Sequence, residues 1–259
     1  MIMKKFLFIL SLIIGFGFQS FGQKKNSKDE KTDYEIITEN RNLPEFENLN
    51  INGRFKVVVH QKSSQTVDVI APDKYLAYVE TVVEKNTLTI KMKEPKKEED
   101  KNLFDRLKTR YNDYLIRQPI EIHISVNNLK QIVLDGASVI ETESEFEGKE
   151  LYVNLSGASK GILQYTLSDL SVVLSGAAKL EMKGLADNFQ LDGSGASSYE
   201  GDGLKSKNVS VMMSGASKAE VFATDSFDGK LTGASTVICS GNPKNVRQNS
   251  SRASKIVIK

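Results

Sequence analysis

One short phrase recurs through the C-terminal half of the chain and limits what it can fold into. Gly-Ala-Ser begins at Gly136, Gly157, Gly195, Gly215 and Gly233, Gly-Ala-Ala begins at Gly176, and Arg252-Ala253-Ser254 is a degenerate last copy. Successive copies lie 21, 19, 19, 20, 18 and 19 residues apart. A period this short, held over seven copies, is the mark of a solenoid. In such a fold each repeat buries its apolar side only by stacking on its neighbours.

Aligning the copies on their first residue shows what each contains. Six, four and two residues before it lie Leu151, Val153 and Leu155 in the second copy, Leu170, Val172 and Leu174 in the third, and Val209, Val211 and Met213 in the fifth. Strict alternation predicts a strand with one buried face. Four and six residues after it the chain is apolar again, with Leu180 and Met182, Val237 and Cys239, and Ile256 and Ile258. Each copy therefore reads as strand, tight corner, strand, turn. A helical repeat would need a longer apolar stretch at period 3.6, which the copies lack. The predicted fold class is all-β, a parallel β-helix with coils of about 19 residues. Seven coils at about 4.8 Å each would span roughly 30 Å.

The corner composition fits that stack. Glycine takes positive φ and lets backbones approach, alanine is small enough to repeat inside a bend, and serine hydrogen-bonds nearby backbone groups. Gly195→Val is accordingly expected to damage the stack.

The segment from Phe46 to Met92 has strand patterning without the corner phrase. Phe55, Val57 and Val59 alternate, Val67 and Val69 follow, and Leu88, Ile90 and Met92 alternate again. It is expected to supply the first coils or a cap over the exposed end. Ile120, Ile122, Ile124 and Val126 form another strand leading into the first repeat. Between them, residues 96–117 are a charged insertion in which Leu103, Leu107, Tyr111 and Tyr114 or Leu115 recur at helical spacing. This predicts a short amphipathic helix packed on the solenoid in preference to a partner-binding helix.

The first 22 residues read as a signal peptide. Lys4 and Lys5 precede an uncharged stretch at 6–18, too short to anchor in a bilayer, and Ser20 and Gly22 place small residues before a cut at Gln23. No cysteine lies near that cut, which argues against lipoprotein attachment. Residues 23–43 are polar and charged and read as a flexible linker, leaving 44–259 as the solenoid domain. Removing Lys4 and Lys5 from the 35 basic residues leaves 33 against 33 acidic ones, a net charge of zero. That balance excludes a nucleic-acid binder of the usual basic kind. No second apolar run approaches the roughly 20 residues of a membrane helix, so no integral membrane segment is expected after signal removal.

The repeated Leu-Ser-Gly-Ala-Ser-Lys phrase, the exported start ending Phe-Gly-Gln, and the upstream Ile51-Asn52-Gly53 strand resemble a bacterial family. It is the putative auto-transporter adhesin, head GIN domain family, common in Bacteroidetes. The resemblance covers about residues 44–240. It implies a right-handed β-helix-like fold and an exported location in the periplasm, at the outer-membrane surface or outside the cell. It implies no defined activity.

Catalytic chemistry is sparse. His60 and His123 alternate with inward-facing Val59, Ile122 and Ile124 and so read as surface strand residues. Cys239, the single cysteine, aligns with buried Met182 and reads as an inert core thiol, and it rules out disulfides and multi-cysteine metal sites. Asp135 and Asp192 fall at different offsets and form no column. Glu141, Glu181, Glu200 and Glu220 share the position five after the corner and are the one candidate carboxylate cluster. Lys160, Lys179, Lys218 and Lys255 share the position three after it, where an acidic glycan or lipid headgroup competes with plain solvation. Glu200-Gly201-Asp202-Gly203 is too short for a calcium loop. The lack of Trp weakens a sugar-stacking surface. No catalytic, cofactor or metal residue is assigned.

These features predict a non-enzymatic, exported β-solenoid acting as an adhesin or binding module, with a glycan or cell-surface ligand as partner. Two alternatives stand beside it. One is a polysaccharide hydrolase or lyase using the glutamate column. The other is a structural periplasmic protein that self-associates through the unpaired terminal strand at 254–259.

Overall fold

The computed structural model describes residues 35–93 and 120–259, all within one compact unit, Tyr34–Lys259. The expected signal peptide and the helix expected at 96–117 lie outside the described residues. Among the described residues the fold is an all-β solenoid, and its one helix is a single turn, Asp73–Leu76 (α1). No described helix is long and apolar enough to cross a membrane.

Strands β1 (Ile36–Asn40), β2 (Asn48–Gly53), β3 (Phe55–Gln61) and β4 (Thr66–Pro72) precede α1. They are followed by β5 (Val79–Glu84), β6 (Thr87–Met92), β7 (Ile120–Val126), β8 (Gln131–Gly136) and β9 (Val139–Thr142). The repeats then give β10 (Phe146–Glu147), β11 (Glu150–Leu155), β12 (Lys160–Leu174), β13 (Lys179–Gly193), β14 (Ser198–Met213) and β15 (Lys218–Leu231). Last come β16 (Thr236–Ser240), β17 (Asn245–Ser250) and β18 (Lys255–Ile258).

Equivalent strands pair in parallel from coil to coil. One face, before the corner, runs β6, β2, β8, β11, the second halves of β12 to β15, then β17. The other, after the corner, runs β7, β3, β9, the first halves of β12 to β15, β16, then β18. We call these the first and second faces. Inward positions carry the alternating apolar residues: Leu151, Val153, Leu155, Leu180, Met182, Val209 and Val211 are all buried. Alternation places every second side chain inside because the strand period is two.

The corner glycines explain why the phrase repeats. Gly157, Gly176, Gly195, Gly215 and Gly233 all have φ near +70°, a conformation in which the Cβ of an L residue crowds the following carbonyl oxygen. Each stacks directly on the glycine of the preceding coil. The next N–H donates to that glycine's carbonyl, as in Ala158 to Gly136 at 2.7 Å, Ala196 to Gly176 at 2.8 Å and Ala234 to Gly215 at 2.8 Å. A Cβ on Gly195 would sit 2.7 Å from the Gly176 oxygen, so the slot excludes any side chain. The serine points inward and closes the corner: Ser159 Oγ donates to the Ser156 carbonyl at 2.6 Å, and Ser217 to Ser214 and Ser235 to Thr232 at 2.8 Å.

The column extends further than the phrase. Gly53 pairs with Gly136, and Ala137 N–H donates to the Gly53 carbonyl at 2.8 Å, so Asn52-Gly53-Arg54 is one more corner. The N-terminal segment is both coil and cap. β2 and β3 form a coil that lies between β8–β9 on one side and β6–β7 on the other, although β6 and β7 come later in sequence than β3. Outside that layer the direction reverses: β4 is antiparallel to β7, β1 to β4, and β5 to β6.

The flexible linker expected to reach residue 43 is corrected at 36–40, which form β1. The open edge of β4 supplies its partners, Asn40 Nδ2 donates to Asp68 Oδ1 at 2.8 Å, and Arg41 binds the Leu76 carbonyl at 3.0 Å.

Candidate binding surface

Outward positions of the first face form columns because the register holds from coil to coil. Seven residues before each corner stand Asp169, Asn188, Asn208 and Ser226. They are joined in a chain, Asn188 Nδ2 to Asp169 Oδ1 at 2.9 Å, Asn208 Nδ2 to Asn188 Oδ1 at 3.1 Å, and Ser226 Oγ to Asn208 Oδ1 at 2.8 Å. Five residues before the corner stand Gln131, Tyr152, Ser171, Gln190, Ser210 and Asp228. The two columns line a shallow groove of about 580 Å³ that crosses coil after coil from Asn48 to Asp228. Amides and hydroxyls supply both donors and acceptors along its middle, and the carboxylates of Glu150, Asp169 and Asp228 lie among them. Sequence reasoning aligned the columns after the corner and missed these two, although the same offset arithmetic exposes them.

The second face is charged but self-neutralised. Glu181, Glu200 and Glu220 are register neighbours on consecutive coils, while Glu141 is set apart from Glu181 by Ile162. Each carboxylate meets a lysine: Glu200 meets Lys179 at 2.6 Å, Glu181 meets Lys183 at 2.8 Å, Glu220 meets Lys218 at 3.1 Å and Glu141 meets Lys56 at 3.3 Å. The hydrogen bond from Lys183 holds the Glu181 carboxyl below the usual range. Lys179 and Lys218 of the lysine column thus act as counter-charges to Glu200 and Glu220. Asp135 accepts from Ser156 Oγ at 2.7 Å and Asp192 from Gln190 Nε2 at 3.3 Å, in separate places. Between β13 and β14 the register slips by one residue, Glu181 facing Glu200 but Lys183 facing Gly203, which accounts for the 20-residue spacing from Gly195 to Gly215.

The two histidines do come together, which sequence reasoning did not foresee. β3 and β7 pair directly, placing the His60 and His123 rings 6.0 Å apart. His60 Nδ1 lies 2.8 Å from Glu143, His123 Nε2 lies 3.0 Å from Glu121, and Lys56 lies 3.1 Å from Glu121. Burial pushes the Glu121 carboxyl up, but the His123 and Lys56 contacts outweigh it and leave it lowered. Among the described residues no group of three or more His, Cys, Asp or Glu side chains converges as a metal site. Cys239 is fully buried, and burial pushes its thiol up to about 11, which removes nucleophilic character.

Comparison with known proteins bears on the same surface. The family model described as putative auto-transporter adhesin, head GIN domain, matches residues 45–243. A crystal structure of a putative adhesin from Bacteroides fragilis has a TM-score of 0.76 at 19% identity, covering 87% of this chain and 97% of that one. A putative adhesin from Parabacteroides merdae gives 0.67 at 16%, covering 88% and 97%. A putative lipid binding protein from Parabacteroides distasonis gives 0.66 at 15%, covering 86% and 96%. At such identities the likeness is one of fold. No curated protein matches the chain in sequence. The family match takes in the polar groove and every corner but the last, and the chain belongs to the putative auto-transporter adhesin, head GIN domain family.

Proposed function

We propose that the protein is an exported, non-enzymatic binding module of the cell surface that holds a neutral, hydroxyl-rich glycan along its first face. The groove lined by the Asn188–Asn208 and Gln190–Ser210 columns carries this reading. Its uncharged donors and acceptors repeat at the coil spacing of about 4.8 Å and match an extended ligand that offers hydroxyls at intervals. Membership of the adhesin family supports a binding role. The segment from Lys4 to Gly22 supports export. The polysaccharide hydrolase alternative is weaker, because a carboxyl acid needs a raised pKa and Glu181 is pulled down by its lysine.

Native electrophoresis through gels containing a neutral polysaccharide tests the reading. The protein should be retarded, while Tyr152→Ala with Gln190→Ala, both outside the amide chain, should weaken retardation about tenfold or more, as for two lost hydrogen bonds. Lys179→Ala, on the second face, should leave it unchanged. Equal retardation of all three proteins, or none of any, would overturn the assignment.

A further inference from the structure

The groove on the first face has no end of its own within the stack. The column five residues before the corner runs on past it in both directions, from Asn48 to Thr87 on β6 and from Asp228 to Arg247 on β17. It crosses nine register-paired strands without a break, and its eight steps of about 4.8 Å give it a length of about 38 Å. Every side chain in it carries a hydrogen-bonding group and none is buried. Other outward columns are broken by apolar residues: Val133, Val173 and Met212 three before the corner, Val58, Ile162 and Ile238 five after it.

A site for the end of a polymer needs a stop, either a wall or a group that pairs with the terminus alone. At both ends of this column the last member, Thr87 or Arg247, reaches solvent. Arg247 is not a bare cation either, because Asp228 stands beside it in register. Each coil repeats the same strand register and the same kinds of group. A chain lying across the coils therefore finds equivalent partners wherever along its length it is placed.

We infer that the first face binds the interior of a long linear glycan, in any register along it, with Thr87 and Arg247 as its outermost contacts. The inference rests on the reading of the groove as a glycan site and adds which part of the glycan it takes. Affinity then grows with ligand length, because each further coil adds donors and acceptors, until a fragment fills the column at about 38 Å. The chemistry of the glycan's ends has no influence. A short fragment occupies the middle coils and never reaches Thr87 or Arg247, whereas a long one meets both.

Competition in native gels tests it. A neutral polysaccharide that retards the protein, chosen from hydroxyethyl cellulose, xyloglucan and mannan, is cut by partial acid hydrolysis, and its length fractions compete with the intact chain at equal mass. Competition should strengthen with length and level off once fragments exceed the column. Reducing the terminal sugar with borohydride should change nothing. Thr87→Ala with Arg247→Ala should weaken competition by the longest fragments about tenfold or more, as for two lost hydrogen bonds, and leave the shortest unchanged. Far-UV circular dichroism identical to the unaltered protein confirms that the variant folds. Short fragments that match long ones, sensitivity to end reduction, or a variant that loses nothing or loses equally at every length would each overturn the inference while leaving the groove a glycan site. Retardation by none of the polysaccharides would refute the glycan reading itself, and the inference with it.

Discussion

Replacing Gly195 with alanine tests the stacking geometry at its tightest point. Its φ is +74°, so a Cβ enters the left-handed region at a cost of about 1–2 kcal/mol. The new atom would lie 2.7 Å from the Gly176 oxygen, 3.1 Å from its nitrogen and 3.3 Å from its carbonyl carbon, all backbone atoms fixed in their own coil. Relief requires the coils to part and lengthens the 2.8 Å bond from Ala196 N–H to the Gly176 carbonyl, a loss of about 1 kcal/mol. The sum is roughly 2–3 kcal/mol, and at about 2–4 °C per kcal/mol for a domain of this size the melting temperature should fall by about 4–12 °C. Gly203→Ala is the control. Its backbone is not left-handed, and its close contact is a side-chain atom, Lys183 Cγ at 2.9 Å, with the nearest backbone atom at 3.6 Å, so its effect should be smaller than that of Gly195→Ala. Thermal melts followed by far-UV circular dichroism decide between them. Equal shifts for the two variants, or no shift for Gly195→Ala, would refute the close-approach argument; Gly195→Val should be worse than alanine.

Three further perturbations follow from the structure. Glu47 accepts from Lys130 at 2.8 Å, Asn86 at 3.1 Å and Asn128 at 3.3 Å, and the Lys130 bond above all holds its carboxyl low. A depressed carboxyl stabilises fully above its unfolded pKa and loses that contribution as pH falls through the folded one. Glu47→Gln should therefore lower the melting temperature at pH 7, with the difference closing below about pH 4. Tyr199 is buried and its hydroxyl has no partner among the described residues, so Tyr199→Phe should leave stability unchanged or raise it by about 1 kcal/mol in urea unfolding. Cys239 should resist a thiol reagent at pH 8 in the native protein and react fully once denatured.

The repeat was legible because one residue type answers two demands at once. A corner that needs both positive φ and a backbone-to-backbone contact accepts only glycine, so the period is written in the sequence at Gly157, Gly176, Gly195, Gly215 and Gly233. Gly53 meets the same demands between Asn52 and Arg54 and carries no phrase to mark it. Strand alternation likewise identified the buried Val211 and Met182 and the outward histidines. The meeting of His60 with His123 was not legible, because β3 and β7 become neighbours only when the chain reverses through β4 and β5 and returns. β1 was hidden for a related reason. Its strand character comes from the open edge of β4 rather than from burial, since all five of its residues are exposed. The polar groove was present in the sequence as two offsets before the corner, but amides and hydroxyls at a fixed spacing look like ordinary solvent-facing strand residues until the register aligns them.

The central claim is that the solenoid is presented outside the cell. Lys160, Lys179 and Lys218 are outward-facing side chains of the solenoid, within reach of an amine-reactive biotin reagent that cannot cross membranes. Labelling intact cells and then cells with opened envelopes, followed by capture and immunoblotting, measures that presentation. The account predicts equal labelling in the two samples. Labelling that arises only after the envelope is opened would place the protein inside it and contradict a role in surface binding.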